Sequence, residues 1–230
     1  MGRPGRLAIG GFVYHVLNRA NARMRIFDSA ADYAAFERVL ADACDYVPMR
    51  VLAYCIMPNH WHLVLRPHHD GDLSRFTGWL TLNHTKRWHA HRGVLGSGHL
   101  YQGRFKSFPV QEDEHFLAVC RYVERNALRA RLVQRAEDWR WSSLWRRRFG
   151  DAKAKSLLAA WPVRRPRDWC ALVNQPQTDG ELAALRRSAN RGCPFGGGGW
   201  VTRTADRFKL LSTLRPSGRR AKTPSAAPSR

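Results

Sequence analysis

Acidic side chains are scarce in this chain: 18 Asp and Glu stand against 39 Lys and Arg, a formal charge of +21 over 230 residues. An enzyme of neutral small substrates has no need of such a surplus. A field of that sign draws in polyanions, and nucleic acid is the commonest soluble one. An anionic membrane would be attracted too. However, the chain lacks any run of about eighteen apolar residues, and its start lacks a basic region followed by an apolar one. No membrane partner is therefore expected. Cysteine is sparse as well. Cys44, Cys55, Cys120, Cys170 and Cys193 lie far apart with no CxxC pair, which argues against a disulfide framework and a zinc–thiolate site. A reducing, cytoplasmic location follows. Lysine is outnumbered by arginine, whose planar fork suits bidentate phosphate contacts, although genome composition produces the same bias.

What the chain does have is a core. It is 44% hydrophobic, with nine tryptophans and ten phenylalanines, so wholesale disorder is not expected. Phe12–Arg19 reads as a strand after Gly10-Gly11. Asp28 or Ser29 can cap a helix running to about Asp45, with Tyr33, Phe36, Val39, Leu40 and Ala43 on one side. Arg50–Met57 and His60–Arg66 read as two strands joined by Pro58-Asn59, an unusual hairpin pair. A helix over Leu73–Ala90, a glycine-rich joint and a strand near Phe105–Val110 follow. A third helix starts near Asp113 and ends near Asn126 or Ala130, its stripe Phe116, Val119, Cys120, Val123, Ala127 spaced by three and four. The order β-α-β-β-α-β plus a helix predicts an α+β, ferredoxin-like antiparallel sheet with packed helices. A folded unit over 1–145 and a basic extension over 146–230 are expected. In the extension, Glu181–Ala189 and a piece near Thr204–Leu210 read as helical, and the end as a disordered arm.

The stretch Met57–Leu65, MPNHWHLVL, opens an apolar strand with two histidines. Side chains at i and i+2 of a strand share a face, so His60 and His62 sit together while Trp61 and Leu63 point the other way. Two imidazoles so placed can hold one divalent cation, given a third ligand from elsewhere; alternatively one is a surface residue and the other chance. His89 and His91, on a helix, diverge. On the third helix Tyr122 and Asn126 lie four apart, beside the buried stripe. Asn126 can offer an amide oxygen to a cation or simply end the helix. Tyr122 can present its hydroxyl or be a half-buried aromatic. Arg121, Arg125 and Arg129 form a flanking row, either for a phosphate backbone or as a solvated face.

MPNHWHLVL, YQGRFKS, RYVERNALRARLV and WRWSS, in that order, resemble the IS200-like single-tyrosine (HUH) transposases, and most of all the REP-associated tyrosine transposase branch. RRSANRGCPFGGGGW and STLRPSGRR resemble the tail of that branch. The resemblance spans 10–220. It implies a ferredoxin-like domain that nicks and rejoins single-stranded or hairpin DNA, acting as monomer or homodimer. It implies that His60 and His62 are metal ligands, that Asn126 completes the shell, and that Tyr122 is the nucleophile forming a 5′-phosphotyrosine. The family usually has Asn-Pro-Val-Arg where this chain reads Asn126-Ala127-Leu128-Arg129, so alanine lets the helix run on.

Mg²⁺ or Mn²⁺ is the expected cofactor, two imidazoles and an amide suiting Mn²⁺ somewhat better. His84, Glu124 or a bound water stand open as general base. Arg104 and Lys106 can take phosphates. Tyr101 and Phe105 can stack on bases or join the core, and Trp139 and Trp141 can stack or pack the last helix. Arg3 and Arg6 at the start, and Arg215, Arg219, Arg220 and Lys222 at the end, would supply charge rather than sequence reading. The alternatives are a non-catalytic nucleic-acid-binding protein, a replication-initiator or relaxase-type nuclease, and a metal-dependent RNase.

Overall fold

In the computed structural model, residues 8–94, 96 and 98–215 are described. Four strands, β1 (Val13–Arg19), β2 (Met49–Met57), β3 (His60–Pro67) and β4 (Lys106–Val110), form one antiparallel sheet in the order β2-β3-β1-β4. This is the ferredoxin-like plan expected. Gly10 cannot be replaced at the entry to β1: a Cβ there would lie 2.6 Å from the His68 carbonyl oxygen. Gly11 then turns the chain with a φ of 79°.

The layers follow from strand alternation. Tyr14, Val16, Tyr54, Ile56, Trp61, Leu63 and Leu65 face α1 (Ala30–Tyr46) and α2 (Asp72–Arg92). Helix α1 begins with a capping box, Ser29 and Asp32 each accepting the other's backbone N–H, and buries the five predicted residues Tyr33, Phe36, Val39, Leu40 and Ala43. Val13, Leu52, Ala53, Cys55, Val64, Phe108 and Val110 face α3 (Glu114–Glu124). Leu52 and Ala53 share that face because the β2 register slips between Val51 and Ala53. After one irregular residue, Arg125, the helix resumes as α4 (Asn126–Arg129), with Ala127 fully buried.

The hairpin turn is the two residues expected: Met57 pairs with His60 across Pro58-Asn59. Neither turn residue takes a positive φ. The turn is held from outside, Pro58 O accepting from Ile26 N at 2.9 Å and Asn59 O from Ala20 N at 2.9 Å.

The chain beyond 140 is more structured than its pattern suggests. Helix α5 (Ser143–Phe149) crosses the expected 145/146 boundary, and α6 (Ala152–Lys155), α7 (Trp169–Asn174), α8 (Asp179–Arg191), α9 (Gly198–Arg207) and α10 (Leu211–Leu214) follow. These residues close both edges of the sheet. On β2, Ile56 N donates to Trp141 O at 2.9 Å, Tyr54 N to Ser143 Oγ at 3.0 Å, and Val51 O accepts from Ala159 N at 2.9 Å. On β4, Phe195 N donates to Pro109 O at 2.9 Å, and Gln111 N to Phe195 O at 3.0 Å. Open strand edges invite pairing with other chains, and here both are covered. The expected helices at 181–189 and 204–210 correspond to α8 and, displaced toward the N-terminus, α9. The expected disordered arm falls largely on residues 216–230, outside the described residues.

Among the described residues no helix is long and apolar enough to cross a membrane.

Candidate active site

The hairpin puts His60 and His62 at the start of β3, on the sheet face that α3 covers. Their ring centroids are 5.0 Å apart. From α3, the Tyr122 ring stands edge-on to His62, with centroids 5.8 Å apart and planes at 87°. The Tyr122 hydroxyl has no hydrogen-bond partner among the described residues.

Hydrogen bonding fixes which imidazole nitrogens are left over. Asn59 Nδ2 donates to Arg23 O at 3.0 Å, which turns Asn59 Oδ1 toward His60 Nδ1, 2.6 Å away. His60 Nδ1 therefore carries the proton and Nε2 keeps its lone pair. On His62, Nδ1 lies 2.9 Å from His15 Nε2, again leaving Nε2 without a partner among the described residues. Burial lowers the His60 pKa to about 4, helped by Arg19 and Arg129. Burial, then the neighbouring His60 and His15, hold His62 well below its ordinary value. Both rings are neutral at physiological pH, which is the form that binds metals. The donor set thus fits a divalent cation. Each ring has one nitrogen tied down and the other free, the arrangement that orients metal-binding histidines.

The third expected ligand is less free. Asn126 is buried, its Oδ1 accepts from Arg129 Nη2 at 2.9 Å, and its Nδ2 is buried without a partner. The Arg129 guanidinium lies 4.2 Å over the Tyr122 ring. Arg129 therefore belongs to the pocket. The sequence suggests a row of three arginines on one outer flank, and the other two depart from it as well. Arg121 Nη2 donates to Gln175 O and Pro176 O at 3.0 and 2.9 Å, and Arg125 Nη1 to Val173 O and Asn174 O at 3.1 and 2.5 Å. They cap the C-terminus of α7, because a helix end carries unsatisfied carbonyls and a partial negative charge.

Two general-base candidates are occupied elsewhere. His84 is on the opposite sheet face, where Trp61 Nε1 donates to Tyr101 Oη at 2.9 Å and Tyr101 in turn donates to His84 Nδ1 at 2.8 Å. Glu124 is fully buried, its carboxylate accepting from Ser143 Oγ at 2.5 Å and Trp169 Nε1 at 2.7 Å. The choice between stacking and packing also resolves. Tyr101 and Phe105 are buried core, Trp139 Nε1 donates to Ile56 O at 2.9 Å, and Trp141 stacks on Tyr33 at 5.0 Å. Arg104 and Lys106 remain exposed on the approach to β4, Lys106 3.4 Å from Asn190 Oδ1. Arg215 is exposed. Arg3, Arg6, Arg219, Arg220 and Lys222 lie outside the described residues. Asp113, Glu114 and His115 also cluster, but Asp113 Oδ1 is engaged by the His115 backbone and ring, at 2.9 and 2.8 Å, as the cap of α3.

The sequence matches the family model described as "Transposase IS200 like" over residues 9–126, about half of the chain. The chain belongs to the IS200-like transposase family. A Haemophilus influenzae protein named "Putative REP-associated tyrosine transposase" is 23% identical over 134 residues, spanning 55% of this chain and 74% of that protein. The solved structure of a REP-associated tyrosine transposase bound to a REP hairpin superposes with a TM-score of 0.54. It covers 73% of this chain and 96% of that one at 17% identity, a likeness of fold. Within this IS200-like chain, His15 is the site residue that sequence spacing does not reveal. It is buried, and it lies diagonally across from His62 because Leu17, two residues on, pairs with His62.

Proposed function

We propose that this protein is a tyrosine transposase that cuts and rejoins single-stranded or hairpin DNA through Tyr122, in the cytoplasm where the nucleoid lies. One observation carries the reading: the Tyr122 ring stands 5.8 Å from the His62 ring, over a pair of neutral imidazoles whose Nε2 atoms are unpartnered among the described residues. His60 and His62 would hold Mn²⁺ or Mg²⁺, with Asn126 contributing its amide oxygen. When bound, the cation supplies charge neutralisation at the non-bridging oxygens of the scissile phosphate.

In the transfer step, Tyr122 Oη attacks phosphorus, the Oη–P bond forms and the P–O3′ bond breaks. The phenolic proton is released to solvent. The departing O3′ takes a proton from solvent and becomes a 3′ hydroxyl, leaving a 5′-phosphotyrosine. The new ester conserves the energy of the broken one, so a second 3′ hydroxyl can reverse the step and join a new end. Arg129, over the ring, holds the ring in place. Arg19, whose buried Nε has no partner, adds positive potential on the same face, and Arg104 and Lys106 are available to flanking phosphates.

The test uses a labelled hairpin oligonucleotide with single-stranded flanks and Mn²⁺. Wild type is expected to give a denaturation-resistant protein–DNA adduct. Tyr122→Phe is expected to bind the same DNA and give none. An RNA version of the hairpin tests the nuclease alternative, because the tyrosine route needs no 2′ hydroxyl. A Phe variant with the wild-type adduct yield overturns the proposal.

A further inference from the structure

Away from Tyr122, a cleft of about 280 Å³ is lined by Leu144, Arg147 and Arg148 of α5, by Arg165, Pro166 and Arg167, and by Trp169 and Cys170 of α7. Four guanidinium groups and no carboxylate line it. Convergence of four like charges is unfavourable unless something offsets it, and Glu124, behind the cleft, offsets it only in part. Arg147 Nη2 donates to Leu52 O and Ala159 O at 3.0 and 2.9 Å, but its Nε is buried with no partner, and so is the Nε of Arg165. Both guanidinium groups lie over the Trp161 ring, at 5.6 and 5.4 Å. Arg148, Arg165 and Arg167 make no hydrogen bond or ion pair among the described residues. The nearby carboxylate, Glu124, accepts from Ser143 and Trp169 outside the cleft and offsets part of the charge on Arg147. Burial holds Arg147 below the ordinary arginine range against the pull of Glu124, and Arg165 adds to the lowering.

We infer that this cleft is a second phosphate-binding site, one that grips the backbone of a polynucleotide on the side of α3 opposite Tyr122. Guanidinium forks match phosphate oxygens in pairs. Two forks stacked on an indole are oriented before the ligand arrives, so little rotamer entropy is lost on binding. The exposed Arg148 and Arg167 extend the site to the surface, where a continuous chain can pass and a buried small-anion pocket would be closed. The inference takes the identity of the polyanion from the proposed function and owes nothing to its chemistry.

The experiment therefore reads binding alone, in EDTA, with every protein carrying Tyr122→Phe. The probe is a fluorescein-labelled DNA hairpin titrated across NaCl concentrations. Adding Arg148→Ala and Arg167→Ala is expected to make the slope of log K against log salt shallower by roughly two, and to weaken binding at least about tenfold at moderate salt. Arg148→Lys with Arg167→Lys restores the slope. Removing two exposed cations on the opposite layer, Arg38→Ala with Lys86→Ala, leaves the slope much nearer its original value. Neither Arg148 nor Arg167 donates an internal hydrogen bond, so an unchanged thermal midpoint is expected. Equal slopes in the arginine variant and its parent overturn the inference. So does an equal effect from the Arg38/Lys86 pair. A failure of adduct formation in the earlier experiment alters none of these readings.

Discussion

His15 makes the site more than a pair of strand histidines. Its Nε2 is 2.9 Å from His62 Nδ1, so for His62 to offer Nε2 to a cation its Nδ1 must carry the proton and donate to His15. That leaves the remaining proton of His15 on Nδ1, which is buried without a partner, a donor whose desolvation costs about 1–3 kcal/mol. His15→Phe removes the acceptor and frees the ring of His62. Mn²⁺ affinity of the DNA-free protein, read by calorimetry, is expected to fall roughly 10–100-fold. His15→Gln keeps an oxygen acceptor and is expected to recover part of it. Unchanged affinity in the Phe variant would remove His15 from the site. The sequence could not supply this contact, because a single histidine in VYHVLNR has no period of its own. Its neighbour is decided by strand register, with Leu17 opposite His62, and register is a property of the assembled sheet. The HWH spacing, by contrast, needs only the alternation of one strand.

Among the elements, legibility tracked length and capping. Helix α1, with 17 residues and a reciprocal Ser29–Asp32 cap, carries its own start signal and stripe. Helix α7 has six residues, too short to be stable alone, and nothing in WCALVN announces it. It exists because neighbours hold it. Trp169 Nε1 reaches Glu124, and Arg121 and Arg125 fill its carbonyl end. The four-residue spacing of those arginines correctly put them on related faces of α3, but could not tell phosphate from peptide carbonyl as the acceptor. Arg121→Ala with Arg125→Ala therefore tests a structural role. Urea denaturation is expected to show a loss of about 1–3 kcal/mol, while the salt slope of DNA binding shifts less than in the Arg148/Arg167 variant. A large slope change with wild-type stability would return these arginines to the phosphate backbone.

At the scale of the whole molecule, residues from 139 onward cover both edges of the sheet, and α5 spans the expected division at 145/146. The fold also encloses several imidazoles. Burial lowers His15 and His84 to pKa values of about 3 and His60 to about 4, and holds His62 well below 6.5. Each is neutral in the fold and takes up a proton near 6.5 once unfolded. Because the folded pKa is the lower one, their stabilisation is complete above pH 6.5 and drains away as pH falls toward 3–4. One unit below 6.5, each such histidine costs on the order of 1 kcal/mol, and the four together several. Glu124 has the opposite sign, since burial raises its carboxyl pKa in the fold, so acidification relieves its cost. The histidines outnumber it. Urea midpoints in divalent-free buffer of constant ionic strength are expected to drop markedly between pH 7.5 and 5.5. His84 can be tested alone: His84→Gln keeps an acceptor for the Tyr101 hydroxyl but cannot titrate, so its midpoint should vary less with pH than that of wild type. If the two proteins trace parallel curves, His84 is not held neutral by the fold, and the acid sensitivity has another source.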